Sequence, residues 1–339
     1  MIRPVVIRPV VIRHVAGAFR PPMGAYDADV VILALDRLDE TVAAIRSALA
    51  QTGVTRHVTI LDQGSTAENL AWLEVAVAGR TDATLLRADR NLGVAEGRNR
   101  ATAFGHGRVI AGLDNDAEFA SSETLAGMVT ALDAAPDLAA VGCRIVRFET
   151  GDDDLSSWGY PRALLPRSGG TFLATTFVGA GHAIGRDAWD AAGGYDPALF
   201  FCWEEYDFCL RAIALGWRVQ YRGDLIIRHK AAAERRVAWS GARWFHFVRN
   251  RLYIGRKCGD GWLALAPRIA GYIIKGTLNG LLWHTIRAIP AAMRLAATPR
   301  TLPPEAHAYL RRHDTVHRGT WGRRLWSEVA ARLIRMPTL

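Results

Sequence analysis

The chain has 339 residues, 50% of them hydrophobic and 22% charged, and a net charge of +9. That composition excludes a disordered protein and leaves room for one large domain, alone or with an appendage. The four cysteines, Cys143, Cys202, Cys209 and Cys258, form no C-x-x-C pair and no zinc spacing, so they read as reduced thiols of a cytosolic protein.

The charge is unevenly placed. Residues 231–339 hold 19 Arg or Lys against 5 Asp or Glu, a net of +14, whereas residues 1–230 hold 23 against 28, a net of −5. An acidic body with a basic tail predicts chemistry in the body and attachment through the tail. The partner of such a tail is a polyanion, membrane phospholipid in preference to nucleic acid.

The opening, MIRPVVIRPVVIRHV, repeats Ile-Arg-Pro-Val-Val at positions 2–6 and 7–11. An odd period cannot keep one face of a strand apolar, and proline is confined to edge strands. Residues 1–28 are therefore expected to form an extended arm and linker, with an edge strand at most. Arg3, Arg8 and Arg13 also interrupt any signal-peptide core, so export is not expected.

From Asp29 short apolar runs alternate with helical patterns. DVVILAL, HVTILDQG, ATLLRA and RVIAGLDND read as strands; DETVAAIRSALAQ, TAENLAWLEVAVA and GVAEGRNRATAFG read as the helices between them. Strands apolar throughout, at this rhythm, predict an α/β fold with a mostly parallel, Rossmann-like sheet and helices on both faces. Ligands of such sheets bind at the carboxyl ends of the strands, where Asp62 and the Asp114–Asp116 pair fall. Two carboxylates held so close need a cation, a proton or water between them.

Beyond Arg235 the composition shifts. WSGARWFHFVRNRLYIGRKCG reads as a basic, aromatic helix, followed by a very apolar stretch over residues 261–297. The longest charge-free run there, between Lys275 and Arg287, is shorter than the roughly 20 residues a spanning helix needs. On one continuous helix, at about 100° per residue, Arg268, Lys275, Arg287 and Arg294 would form a single basic stripe. The extension, residues 236–339, is thus expected either to lie in an anionic membrane interface or to pack on the body.

The ordered set TILDQGS, RADRNLGVAEGRNRA, LDND, GAGHAIGRDAWDAAGGYDPALFFCWEEYDFCLR and IIRHK resembles glycosyltransferase family 2. These enzymes are inverting, use nucleotide sugars and have the GT-A fold. The resemblance covers residues 29–230 and implies a GT-A domain over 29–235. It further implies transfer of a hexose or deoxyhexose from a nucleoside diphosphate (UDP, dTDP or GDP type) to a glycan hydroxyl. The acceptor would be lipid-linked, in envelope or exopolysaccharide synthesis, on the inner face of the cell membrane. GGYDPALFFCWEEYDFCLR is most similar to the rhamnosyltransferase-type branch.

Carried over residue by residue, Asp114 and Asp116 match the family's D-x-D. Asp116 would hold Mg²⁺ or Mn²⁺, and Asp114, with Asn115, would face the nucleotide sugar. Asp62 would accept a hydrogen bond from the base. Gln63 stands where a second acid is usual, and Leu33-Ala34-Leu35-Asp36 replaces the family's Pro-Thr-x-Asn, so Leu33 and Asp36 would make altered contacts to the nucleotide. Asn91 and Gly93 match a donor loop, Arg98 would meet a phosphate, and His229 would complete the metal or diphosphate site. Gly179, Ala180, Gly181, Trp203 and Glu204 would line the acceptor side. Glu205, where an Asp is usual, would be the general base, with Glu204 and Asp207 as alternatives; Asp207 is expected to bond Arg211 instead.

Two other readings follow from the same residues. The departures at Leu33–Asp36 and Gln63 suit a catalytically silent scaffold, and the high pI with the aromatic residues interleaved with Arg in 235–257 suits nucleic acid. No recognised nucleic-acid motif occurs, so nucleic acid is not expected as a partner. A dinucleotide-dependent oxidoreductase is excluded by the lack of G-x-G-x-x-G after the first strand of the body.

Overall fold

The computed structural model describes residues 9–230 and 241–318. The first copy of the N-terminal repeat and residues 231–235 therefore lie outside the described residues. Four of the strands are those the apolar runs predict: β2 (Ala28–Ala34), β3 (Arg56–Asp62), β4 (Ala83–Ala88) and β5 (Val109–Leu113). They pair in parallel in the order β4-β3-β2-β5. Val30 and Ile32 point into one core and Val31 into the other, because successive side chains of a strand alternate between faces. Both faces are buried, which is why these strands carry no polar alternation.

The helices between them are α1 (Leu38–Leu49), α2 (Ala67–Val77) and α3 (Gly93–Thr102). Helix α1 carries Asp39 and Glu40 in its first turn and Arg46 in its last, opposing the helix dipole at both ends. Thr66 caps α2 by accepting a hydrogen bond from the Asn69 amide at 3.2 Å.

The rest of the sheet is mixed. β1 (Ile12–Gly17), from the predicted arm, adds antiparallel to the edge strand β4. Beyond β5 the order continues through β9 (Gly181–Gly185) and β7 (Leu138–Arg147) to the long β10 (Arg218–His229) and β6 (Ala117–Phe119). β10 also pairs, near its start, with β8 (Thr171–Ala174). Its last residues lie antiparallel to β6, with His229 opposite Ala117. That register sets Asp116 beside His229.

Helices α4 (Thr124–Asp133), α5 (Arg186–Ala192) and α6 (Glu204–Ala214) complete the body. The extension forms α7 (Gly241–Lys257), α8 (Trp262–Leu278), α9 (Leu282–Arg294) and α10 (Pro304–Leu310). Tyr253 and Ile254 of α7 are buried with the body, while Trp244, Val248 and Leu252 pack on Leu265 of α8 and Ala288 of α9. The expected continuous helix over the apolar stretch is broken at Asn279–Gly280. Gly280 takes φ +69°, and the Leu281 amide turns back to the Gly276 carbonyl at 2.7 Å. Arg268 and Lys275 thus lie on α8, and Arg287 and Arg294 on α9, so the single basic stripe is not formed. Among the described residues no helix is long and apolar enough to cross a membrane.

Candidate active site

Two cavities meet at the carboxyl ends of β2 and β5. The first, of about 380 Å³, is lined by Leu33, Asn91, Gly93, Asn115, Asp116 and His229. The second, of about 410 Å³, is lined by Gly179, Ala180, Glu204 and Glu205. Asp114 lines both. Of the expected site residues, those that line a cavity divide between these two, which share Asp114; Asp36, Asp62, Arg98, Gly181 and Trp203 line neither.

Turn geometry explains the first cavity. Gly93 takes φ +77°, and a Cβ there would overlap the Phe200 carbonyl, so only glycine lets this loop close on the Phe200 turn. The Asn91 side chain accepts from the Gly93 amide at 2.8 Å, and Gln63 accepts from the Leu92 amide at 2.9 Å. Gln63 thus shapes the loop. Asp62 is fully buried and lines neither cavity; it accepts from the Ser65 amide at 3.1 Å and pairs with Arg87 at 3.2 Å. Asp36, at φ 53°, accepts from the Thr66 amide at 3.3 Å and Asn69 at 3.2 Å.

The acids of LDND have separate fates. Asp114 is bound by Arg98 at 2.7 Å; Arg98 itself is buried beneath it and also donates to the Gly179 carbonyl at 3.0 Å. Its Nε and Nη1 have no hydrogen-bond partner. Burial works against the Arg98 charge, but Asp114, then Tyr195, Glu205 and Glu204, hold its pKa above the ordinary arginine value. Asn115 donates to Thr41 at 3.0 Å.

Asp116 pairs with Arg37 through one oxygen and lies 3.3 Å from His229 Nε2 through the other. Burial pushes its pKa up, but the His229 hydrogen bond and the His229 and Arg37 charges outweigh that and hold it well below the carboxylate range. His229 Nδ1 is 3.1 Å from Asp154, which fixes the imidazole as second-sphere carboxylates do for metal-bound histidines. Arg37 and Asp154 escaped the sequence reading, since neither stands in a motif; the pairs form only through the fold.

A divalent cation is implied here by the resemblance. Among the described residues no three His, Cys, Asp or Glu side chains form a ready metal cage. Mg²⁺-type sites on nucleotides need only one or two carboxylates, because phosphate oxygens and water complete the shell. Asp116 would meet that requirement, with His229 beside it, once Arg37 releases the Asp116 oxygen it occupies.

On the acceptor side, Glu204 and Glu205 open α6. Glu204 is buried, and its Oε2 has no hydrogen-bond partner; burial first and Glu205 second raise its pKa well above the ordinary value. Glu205 is less enclosed, and burial pushes its pKa up to about 7. A Cβ on Gly179 would overlap the Glu205 carboxylate, so the glycine makes room for it. Asp207 is engaged by Arg211 at 2.9 Å, as expected, and by Lys257 at 2.7 Å. Gly181 is buried in β9, and Trp203 faces away, donating from Nε1 to the Phe247 carbonyl at 3.0 Å.

The turn leading to the two glutamates is strained. Phe200, Cys202 and Trp203 take φ 62°, 70° and 74°, a conformation that costs non-glycine residues roughly 1–3 kcal/mol each. Asn250 of α7, fully buried, holds it: its Nδ2 lies 2.8, 2.8 and 2.9 Å from the carbonyls of Leu199, Phe201 and Cys202. Nothing in the sequence marked Asn250, a neutral amide in a basic, aromatic run.

Residues 29–190 match the family model described as Glycosyl transferase family 2. The succinoglycan biosynthesis protein ExoO of Rhizobium meliloti (strain 1021) is 37% identical over 109 residues, which are 32% of this chain and 30% of that protein. The chain thus matches less than a third of that relative's length. Among solved structures, the mannosyltransferase PcManGT from Pyrobaculum calidifontis, in complex with GDP-Man and Mn²⁺, aligns over 93% of this chain and 88% of its own, with TM-score 0.53 and 18% identity. GalNAc-T7 with UDP, GalNAc and Mn²⁺ aligns over 94% and 59%, with TM-score 0.58 and 15% identity. At those identities the likeness shows the fold, which is GT-A. The chain therefore carries, at residues 29–190, a domain of glycosyl transferase family 2.

Proposed function

We propose that the protein is an inverting glycosyltransferase that moves a hexose or deoxyhexose from a nucleoside-diphosphate sugar to a hydroxyl of a glycan, lipid-linked, in envelope or exopolysaccharide synthesis. The observation that carries this reading is the meeting of two cavities at Asp114, with Asp116 and His229 on one side and Glu205 on the other. Glu205 takes the proton of the acceptor hydroxyl as that oxygen attacks the anomeric carbon opposite the leaving diphosphate. A carboxylate with pKa about 7 holds a proton well enough to be a base and still ionises near neutrality. Glu204, buried with its pKa pushed well up, and Asp207, paired twice, are less suited to that task.

Asp116 and His229 would hold Mg²⁺ or Mn²⁺, which when bound supplies charge neutralisation to the departing diphosphate. Arg98 orients Asp114 from below, and Asn91, Gly93, Leu33 and Asn115 shape the nucleotide cavity. Asp62 and Asp36 act through the loops they tie down. The mannosyltransferase neighbour binds GDP-Man and the other neighbour UDP, both with Mn²⁺, which supports a nucleotide donor and leaves the base open.

The protein works at the inner face of the cell membrane, peripherally. Supporting this, α8 and α9 expose Leu263 (92%), Trp283 (65%), Ile274, Leu278 and Ile286, and no Asp or Glu occurs between Asp260 and Glu305. The Arg37–Asp116 pair favours a second reading, a silent scaffold whose own arginine fills the cation position.

One experiment separates the two. A thermal-shift panel of UDP, GDP and dTDP sugars, with and without Mn²⁺, should give a Mn²⁺-dependent rise with one donor that Asp116→Asn abolishes. No donor-dependent rise in the wild type would favour the scaffold.

A further inference from the structure

A third cavity, of about 730 Å³, adjoins the acceptor cavity. The same two segments line both. Val178–Ala180 and Glu204–Glu205 face the acceptor cavity, whereas Thr175, Thr176, Trp203 and Tyr206 face the third. Trp203 and Tyr206, three apart, share a face at the start of α6, the neighbouring face to that of Glu205. From Thr175 to Gly179 the chain spans at most about 14 Å, which bounds the separation of the two cavities along that segment.

The opposite wall comes from the C-terminal helices and is cationic. Arg251 of α7, Arg268 of α8 and Arg311 beyond α10 all line it. Arg251 lies over the Tyr206 ring at 4.7 Å and the Trp203 ring at 5.6 Å. The nearest carboxylate to Arg268 is Asp260 at 3.9 Å, the outer limit of an ion pair. Burial first, and the Arg251 guanidinium second, hold the Arg268 pKa below the ordinary arginine value. Arg311 opens a π-helical turn, Arg311–Thr315, a distortion that recurs at functional sites, and no carboxylate among the described residues pairs with it. Asp314, the acid of this wall, is paired with Arg318 at 2.7 Å. Guanidiniums gathered on one cavity without shared counter-ions are unfavourable for the fold alone, and an anionic ligand offsets that cost.

We propose that this cavity binds the diphosphate of a lipid-linked acceptor and so places the acceptor's sugar hydroxyl at Glu205; the proposal rests on the transferase reading above. Arginine suits the ligand, since its fixed donors pair two at a time with phosphate oxygens. A lipid is favoured over a free anion by the position of Arg268. On another face the same helix exposes an apolar stripe, Leu263 (92% exposed), Pro267, Ala270 and Ile274, which offers apolar surface to a chain that leaves the diphosphate and passes round the helix.

The test is equilibrium dialysis of the full chain with radiolabelled farnesyl diphosphate and, separately, inorganic pyrophosphate, in EDTA to suppress metal-dependent binding at the donor cavity. Arg268→Gln and Arg311→Gln should each weaken farnesyl diphosphate by about tenfold or more, whereas Arg46→Gln, an exposed arginine of α1 outside every cavity, should leave it unchanged. Arg268→Gln should also melt no lower than the wild type, because it removes a poorly paired charge; Arg311→Gln serves as the second, more exposed variant. Binding insensitive to both arginine variants overturns the site. Equal affinity for pyrophosphate and the prenyl ester overturns the lipid assignment. If the arginine variants lose farnesyl diphosphate while the wild type shows no Mn²⁺-dependent donor binding, the transferase reading fails and the diphosphate site stands.

Discussion

Replacing Asn250 with alanine should disable turnover although Asn250 lines neither cavity itself, because it holds the turn that carries Phe201 and Cys202. Its amide offers two N–H groups to three carbonyls at 2.8–2.9 Å, all in the Leu199–Cys202 turn, buried at Leu199 and half-buried beyond it. Losing two hydrogen bonds worth about 0.5–1.5 kcal/mol each, and leaving the buried Leu199 carbonyl unpaired, costs about 2–4 kcal/mol. The three left-handed residues of that turn store strain of similar size, so the turn relaxes rather than persisting unsupported. If the whole cost appears as displacement of the turn, the competent geometry falls by about 30- to 900-fold, at 1.36 kcal/mol per tenfold. The assay is nucleotide release from the donor identified by thermal shift, with donor affinity measured alongside. Turnover should drop about 10²-fold and donor affinity by clearly less, since only Phe200 and Phe201 of the turn line the donor cavity, and Asn250→Asp, which keeps size but loses the donors, should behave alike. Wild-type turnover in Asn250→Ala, or an equal loss of donor affinity, would refute the clamp.

Glu205→Gln should keep donor affinity and lose about 10²-fold or more in turnover; weak donor binding with near-normal residual turnover would make Glu205 a binding residue. In the wild type, kcat/KM should rise with pH through about 7 as Glu205 ionises, and the rise should vanish in Glu205→Gln. Because the folded pKa is raised from 4.5 to about 7, the native state binds the extra proton across that window, so this group's contribution makes stability fall as pH climbs from 4.5 to 7. The protein should float with vesicles containing anionic lipid and detach as salt rises, and the pair Ile274→Ser and Trp283→Ser should reduce flotation about tenfold. Equal flotation with neutral vesicles would remove the electrostatic part of that attachment.

The four parallel strands were legible because burial on both faces leaves an unbroken apolar run, as in VVILA of β2. β6, of three residues, and β8, of four, are too short for periodicity to register, and their places come from pairing with β10, far along the chain. The break between α8 and α9 did have a signal, the Asn279-Gly280 dipeptide, which apolar composition on either side masked. Individual site residues could be named from motif order, but their partners could not. Arg37 reaches Asp116 across 79 positions, and Asn250 reaches Phe201 across 49. No local pattern encodes such a meeting.

The His229–Ala117 register has a consequence for the order in which the protein is made. Asp116 and His229 are 113 positions apart, so at about 5–20 residues per second the ribosome delivers the second roughly 6 to 20 seconds after the first. Through that interval the acids of LDND belong to a growing chain whose closing strand does not yet exist. Arg37 does exist by then, on the loop after β2, and is the cation already within reach of Asp116. It is placed to act as the first counter-ion of the acidic corner during synthesis, and it keeps one Asp116 oxygen when β10 brings His229 to the other.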